Sequence, residues 1–298
     1  PPFLLSYNYF TTNFAFCKRF YYLIIFHTYL LGDEVMIFLL EIDKLKRKGL
    51  ISRLFSRGMD INCIQSNGAA LCKISVKNSQ SIDWLRVQSM LADGDSIVVE
   101  KDIDAPAEIG LPQADGKKAL RRLLLEGANK VIAKARENGA KLTVLFIDRD
   151  AEFEKSMFML SPACEQIYIL TDQKEQYSVY SEKAVAEYGV SPIILDSADY
   201  ISSCDIIIAP YGINGCGALP LPKMIFAPNG SDCVSVCEGC IELPEIFGEI
   251  SVEKYDAFSL CEAVFCCDGY SGESPHTLNM KWRDKISSTD ELASIFYA

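Results

Sequence analysis

The apolar positions of this chain fall into two kinds of pattern. From Lys118, Leu120, Leu123, Leu124, Ala128, Val131, Ile132 and Ala135 recur at the spacing of one helical face, and Gly139 stands where a helix would turn off in the left-handed conformation. Beyond it, runs apolar at nearly every residue follow: Leu142 to Ile147, Gln166 to Leu170, Pro192 to Leu195, Asp205 to Ala209 and Met224 to Ala227. Strands covered on both faces need such runs, whereas a half-exposed strand alternates. Glu175 to Tyr188, ending at Gly189, is long enough for the crossover helix that parallel pairing requires. Only Asp196 to Cys204 joins the third and fourth runs, which leaves room for a short helical turn. The expected fold class is therefore α/β: an open parallel sheet of about five strands flanked by helices.

Upstream the pattern is shorter. Ile61 to Ile64 and Ala70 to Val76 flank Asn67-Gly68, a dipeptide suited to the positive φ angles of a tight turn, so a hairpin is expected. Ser81 can cap a helix carrying Ile82, Trp84 and Leu85 inward, and Ser96 to Val99 reads as a strand. The basic segment Lys44 to Arg57 places Leu45, Leu50, Ile51 and Leu54 on one helical face. These elements predict a small α/β lobe over residues 36–105, a linker at Asp102 to Gly116, and the sheet domain with a C-terminal helical extension over residues 117–298. In that extension, Ile241 to Phe247, Ala257 to Cys267 and Glu291 to Tyr297 have helical composition.

Composition narrows the class of function. With 49% hydrophobic and 23% charged residues, the chain has the make-up of a folded protein. Its net charge is −11, yet the residues up to Met59 carry eight basic and four acidic side chains. The remainder, at −15, repels phosphate backbones, so nucleic acid is not expected as a partner. Phe, Tyr, Asn, Ile and Leu crowd residues 1–35 without helical or strand period, and the run Phe20 to Leu31 is too short to span a bilayer. We expect residues 1–35 to be a non-native or disordered leader ahead of Met36, the alternative being an aromatic membrane-surface anchor. Twelve cysteines without an export signal suggest reduced, buried thiols and a cytoplasmic protein.

In open parallel sheets, ligands bind beyond the carboxyl ends of the strands. Here those ends carry Asp148-Arg149-Asp150, Thr171-Asp172, Asp196-Ser197 and Pro210-Tyr211-Gly212. The succession of strand, helix, strand ending in Asp172, helix and strand over about 141–230 resembles the nucleotide-binding half of Rossmann dehydrogenases. The resemblance implies an NAD(P) cofactor, with Asp172 at the place of the ribose-binding acid. It departs from that family where a glycine-rich turn should meet the pyrophosphate: Asp148-Arg149-Asp150-Ala151-Glu152-Phe153 has no glycine and three carboxylates. The loop with Gly212, Gly215 and Gly217 could supply backbone N–H groups to a phosphate from another strand, or be a turn before Pro220. The chain is also similar to uncharacterised conserved proteins of Clostridia-type bacteria that carry such a degenerate domain.

A strand followed by Asp148-x-Asp150, then one ending in Thr171 and acids Asp196 and Asp199 after a third, resembles the haloacid-dehalogenase phosphatases. That resemblance implies Asp148 as nucleophile, Asp150 as proton carrier and Mg²⁺ to offset charge. Residue 151 is Ala rather than Thr or Val, and too few residues separate the motifs to hold that family's cap. Without such chemistry, the two acids would cap the next helix.

Cys233, Cys237 and Cys240 have the C-x3-C-x2-C spacing of a three-thiolate cluster site, and zinc is an alternative with a fourth Cys. Histidine is nearly absent, with His27 and His276 alone, so a His-based triad lacks material. Three readings remain: a degenerate Rossmann-like protein that binds a nucleotide or small metabolite or serves a structural or regulatory role, an NAD(P)-dependent oxidoreductase, and a Mg²⁺-dependent Asp-based phosphatase.

Overall fold

The computed structural model describes residues 36–42, 59–66, 69–76, 82–214, 216, 218–248, 251–267 and 270–297, with backbone alone for 59–66, 69 and 200. The expected leader and the Lys44 to Arg57 helix lie outside them, as do Ser81, Gly215 and Gly217. By contacts the chain divides into two units, with a boundary between Ala114 and Asp115. Segments 248–255 and 263–273 belong to the first unit, and the rest of the chain beyond Asp115 to the second.

The first unit is built on four strands: β1 (Met36–Ile42), β2 (Met59–Ser66), β3 (Ala69–Val76) and β4 (Ser96–Val99), in the order β2-β3-β1-β4. The predicted hairpin forms as the antiparallel pair β2–β3, while β1 lies parallel to both β3 and β4. Strand β1 was not anticipated. Its MIFLLEI run is buried from Met36 to Glu41, so it lacks the alternation that marks a strand with one solvated face. Phe38, Leu40, Cys72, Ile74 and Ile97 form the core of this sheet. Helix α1 (Trp84–Gln88) is capped by Asp83, whose Oδ1 accepts from Arg86 N at 3.1 Å. Of the residues expected inward, Ile82 is buried and Trp84 packs partly against the core, but Leu85 is 69% exposed and Val87 takes its place. The expected linker is ordered against β4, with Ile97 N donating to Pro112 O at 3.1 Å and Ala114 N to Ile97 O at 3.0 Å.

One buried acid organises this unit. Glu41 on β1 meets Lys73 Nζ at 2.8 Å and Lys254 Nζ at 3.1 Å, and its side chain is 4% exposed. Burial alone would raise its pKa, but hydrogen bonds and charge from the two lysines outweigh burial and hold it below the usual carboxylate range.

The second unit carries the parallel sheet. Helix α2 (Lys117–Glu137) buries Ala119, Leu123, Leu124, Ala128, Val131, Ile132 and Ala135 on its expected face, and Gly139 sits at φ +87° after it. Glu262 caps its start, with Oε2 accepting from Lys118 N at 2.9 Å. Six strands follow: β5 (Thr143–Ile147), β6 (Gln166–Leu170), β7 (Ile193–Leu195), β8 (Ile206–Ile208), β9 (Met224–Phe226) and β10 (Cys233–Val234). Helices α3 (Glu154–Leu160) and α4 (Lys174–Tyr188) make the first two crossovers, and a 3-10 turn at Ala198–Tyr200 sits in the short third link. Every pairing is parallel, in the order β10-β9-β8-β5-β6-β7. Counted from β5, that is the 3-2-1-4-5-6 order of a doubly wound Rossmann-like sheet.

The sheet has six strands instead of five because β10, two residues long and opening on a cysteine, carries too little apolar signal to be read as one. The C-terminal part also differs from expectation. Ile241 to Phe247 is a two-residue strand, β11 (Ile241–Glu242), followed by a 3-10 turn. Pro244 supplies no N–H to a helix there, which ends any such run. Helix α5 (Ala257–Phe265) forms as predicted. Beyond it come β12 (His276–Thr277), the hairpin β13 (Asn279–Trp282) and β14 (Lys285–Ser288), and α6 (Thr289–Ser294), opened by a capping box between Ser288 and Glu291. Among the described residues no helix is long and apolar enough to cross a membrane.

Candidate functional site

The strand order places the topological switch point between β5 and β8, where chains leave in opposite directions and open a crevice at the carboxyl ends. The segments after β5 and β8 flank it, and those after β6 and β7 follow along the same edge of the sheet. What they do there depends on charge pairing that sequence reading did not foresee.

Asp148 is the first residue beyond β5, and none of it is exposed. The chain passes through Ala151 at φ +55°, a left-handed conformation that a non-glycine residue adopts at some cost. The amides beyond that turn point back at Asp148: Glu152 N donates to Oδ1 at 3.2 Å and Phe153 N to Oδ2 at 2.8 Å. Tyr177, reaching across from α4, donates its hydroxyl to Oδ2 at 2.6 Å. Burial raises the Asp148 pKa above the usual carboxylate range, and these three donors offset part of that rise. Burial, then the Asp148 charge and the shared hydrogen bond, push the Tyr177 hydroxyl far upward, so it stays a donor.

Asp172 follows β6 and faces solvent, with its side chain 61% exposed. Arg149 holds it: Nη1 donates to Asp172 Oδ1 at 2.8 Å and to Asp196 O, beyond β7, at 3.3 Å. Lys174 at the start of α4 bonds Asp196 Oδ2 at 2.8 Å and lowers that carboxyl's pKa. The Arg149 carbonyl accepts from Asp172 N at 3.1 Å and from Thr171 Oγ1 at 3.3 Å, which ties the first turn to the end of β6. Across the crevice, Tyr211 after β8 lies under the Arg121 guanidinium, 3.9 Å from the ring centroid, with the Phe153 ring centroid 6.0 Å away.

The structure thus brings Asp148 and Asp172 to one rim, where the Arg149 side chain joins Asp172 to the Asp196 carbonyl, and leaves Asp150 exposed. Gly212 takes φ +90°, as its turn requires. Cys233 lies buried in β10, while Cys237 and Cys240 stand together with their sulfurs 3.1 Å apart. Among the described residues no group of three or more His, Cys, Asp or Glu is placed to hold a metal ion. Cys72 is disulfide-bonded, which corrects the expectation of uniformly reduced thiols. Tyr177 and Arg121 carry no signal in the sequence, and Arg149 and Tyr211 stand in the strand-end segments without a role assigned to either, because their partners lie far away along the chain.

No known protein family matches the chain, and no curated protein matches it. Among solved structures it is similar to the crystal structure of L-tryptophan dehydrogenase from Nostoc punctiforme, at 11% identity and a TM-score of 0.28. That match covers 65% of this chain, which spans 61% of the dehydrogenase.

Proposed function

We propose that this chain is a Rossmann-like protein with a structural or regulatory role, in which the turn that would meet a dinucleotide's pyrophosphate is filled by its own carboxylate. The observation behind this reading is the pair of amides, Glu152 N and Phe153 N, given to Asp148. Those N–H groups precede α3 and are the donors an incoming phosphate would need. A buried anion already on them excludes a second one by repulsion and by space. The same engagement weighs against Asp148 as a phosphatase nucleophile, since a nucleophile must reach substrate and this residue is fully buried.

One observation favours a second reading, a nucleotide-binding protein or oxidoreductase: Asp172 is exposed at the end of β6, where a ribose would be met. Arg149 occupies it now, through an ion pair weak enough to be exchanged.

A thermal-shift panel with NAD(H), NADP(H), ATP, S-adenosylmethionine, and Mg²⁺ with phosphate mimics tests these readings. A ligand at about 100 times its dissociation constant adds roughly 2.7 kcal/mol, which a melting curve resolves. The expected result is no shift with any of them. Dinucleotide stabilisation lost in Asp172→Ala would replace the proposal with the second reading, and Mg²⁺-dependent phosphate release lost in Asp148→Asn would replace it with a phosphatase.

A further inference from the structure

Away from the strand-end rim, Cys237-Glu238-Gly239-Cys240 forms a tight turn with an unusual side-chain pair. Cys237 is extended, at φ −125° and ψ 165°, and a 3-10 turn over Glu238–Cys240 returns the chain beside it. Cys240 N donates to Cys237 O at 2.9 Å, which fixes the turn. The two Sγ atoms come to 3.1 Å, closer than an ordinary non-bonded sulfur contact and about 1 Å beyond a disulfide bond length. The turn is anchored on its far side, where Leu278 N donates to Cys240 O at 2.8 Å and β11 pairs antiparallel with β12.

The two thiols differ in environment. Cys237 is half-buried, so a small reagent can reach it, whereas Cys240 is fully buried. Burial, with a smaller contribution from Cys237, pushes the Cys240 thiol up to about 11. Since the thiolate is the attacking species, the inner sulfur stays a protonated, protected thiol until its neighbour has reacted. Among the described residues no third His, Cys, Asp or Glu completes a metal site around the pair, so two thiols in contact favour exchange over coordination.

We propose that Cys237 and Cys240 are a dithiol/disulfide couple that exchanges with small-molecule disulfides, Cys237 being the attacking thiol and Cys240 the resolving one. In the first step the Cys237 thiolate attacks one sulfur of a disulfide RSSR; a protein–SR bond forms, the S–S bond of RSSR breaks, and RS⁻ leaves. Cys240 then gives up its proton and attacks the Cys237 sulfur; the intramolecular disulfide forms and a second RS⁻ leaves. The protein dithiol is oxidised by two electrons, RSSR is reduced to two thiols, and the two cysteine protons end on them. The couple gives this protein a redox input independent of the strand-end site.

The test uses the full chain carrying Cys266→Ser, to remove an exposed cysteine elsewhere. The protein is incubated anaerobically with oxidised glutathione, alkylated with iodoacetamide, digested and mapped by mass spectrometry. The expected product is a peptide containing both Cys237 and Cys240 that has lost two hydrogens and escaped alkylation. Cys240→Ser should trap a glutathione mixed disulfide on Cys237, and Cys237→Ser should leave residue 240 unmodified. A stable glutathione adduct on Cys237 in the protein that retains Cys240, or alkylation of both residues after oxidation, overturns the proposal. Should a serine variant fail to fold, titration of the protein with both thiols in glutathione redox buffers, followed by mass spectrometry on the peptide that holds Cys237 and Cys240, still decides it: one two-electron transition of that peptide supports the couple, and no transition refutes it.

Discussion

The Tyr177 hydroxyl, on α4, donates to Asp148 Oδ2 at 2.6 Å, and neither residue has any exposed surface. This bond joins the carboxyl end of β5 to the second crossover helix, and it completes a set of three donors around one buried carboxylate. Removing the hydroxyl leaves a buried charge short of a partner. Tyr177→Phe should therefore cost about 1–3 kcal/mol in urea unfolding.

The pH dependence of that loss has a definite sign. The folded pKa of Asp148 lies above its unfolded value, so its contribution to stability falls as pH rises from the unfolded pKa through the folded one. The Tyr177 bond favours the charged form and limits the rise, so its removal raises the folded pKa further. Tyr177→Phe should be more damaging at neutral pH than below the ordinary Asp pKa, as parallel urea titrations would measure. A larger loss at acid pH would show that Tyr177 does not support the carboxylate.

Glu41 in the first unit gives the opposite sign. Its folded pKa is depressed because Lys73 and Lys254 outweigh the effect of burial, so the stability it contributes is present above the unfolded pKa and lost as pH falls through the folded one. Glu41→Gln should cost about 2–4 kcal/mol near neutrality, since it leaves two lysines facing a buried neutral amide. The difference from the unmodified protein should close on acidification, followed by circular dichroism in urea.

Two backbone positions make contrasting predictions. Gly116, at φ +79° before α2, would bring a Cβ within 2.8 Å of Phe258 Cβ and 2.9 Å of Ser259 N, so Gly116→Ala should lower stability by roughly 1–3 kcal/mol. Ala151 already takes the left-handed conformation with a side chain, and Ala151→Gly should be neutral or stabilising by up to about 1 kcal/mol. Thermal melts check both: the melting temperature should fall in Gly116→Ala and should not fall in Ala151→Gly.

How far this structure could be read in advance follows from burial. Strands β5 and β6 are covered on both faces and write themselves as continuous apolar runs, and α2 shows its face because it buries one stripe. Strand β1 is equally apolar but follows a stretch crowded with aromatics, so nothing in the composition sets off its boundary. At the rim, the acids after each strand were visible in the sequence, yet their partners were not. Arg149 and Asp172 are 23 residues apart and Asp148 and Tyr177 are 29 apart, distances that only the parallel β5–β6 pairing and the return of α4 close up. The closeness of Cys237 to Cys240 was implicit in their spacing, but the 3-10 turn that brings the sulfurs together was not.

A turn filled by its own carboxylate requires two backbone amides committed to Asp148. Their NMR resonances test that directly: Glu152 and Phe153 N–H signals in labelled protein, followed during titration with pyrophosphate and with NADH. Both signals should stay fixed as ligand is added and move together when the Asp148 carboxyl titrates. Saturable shifts of these two amides on adding pyrophosphate or dinucleotide would contradict the account, because they would mean the turn still receives a phosphate.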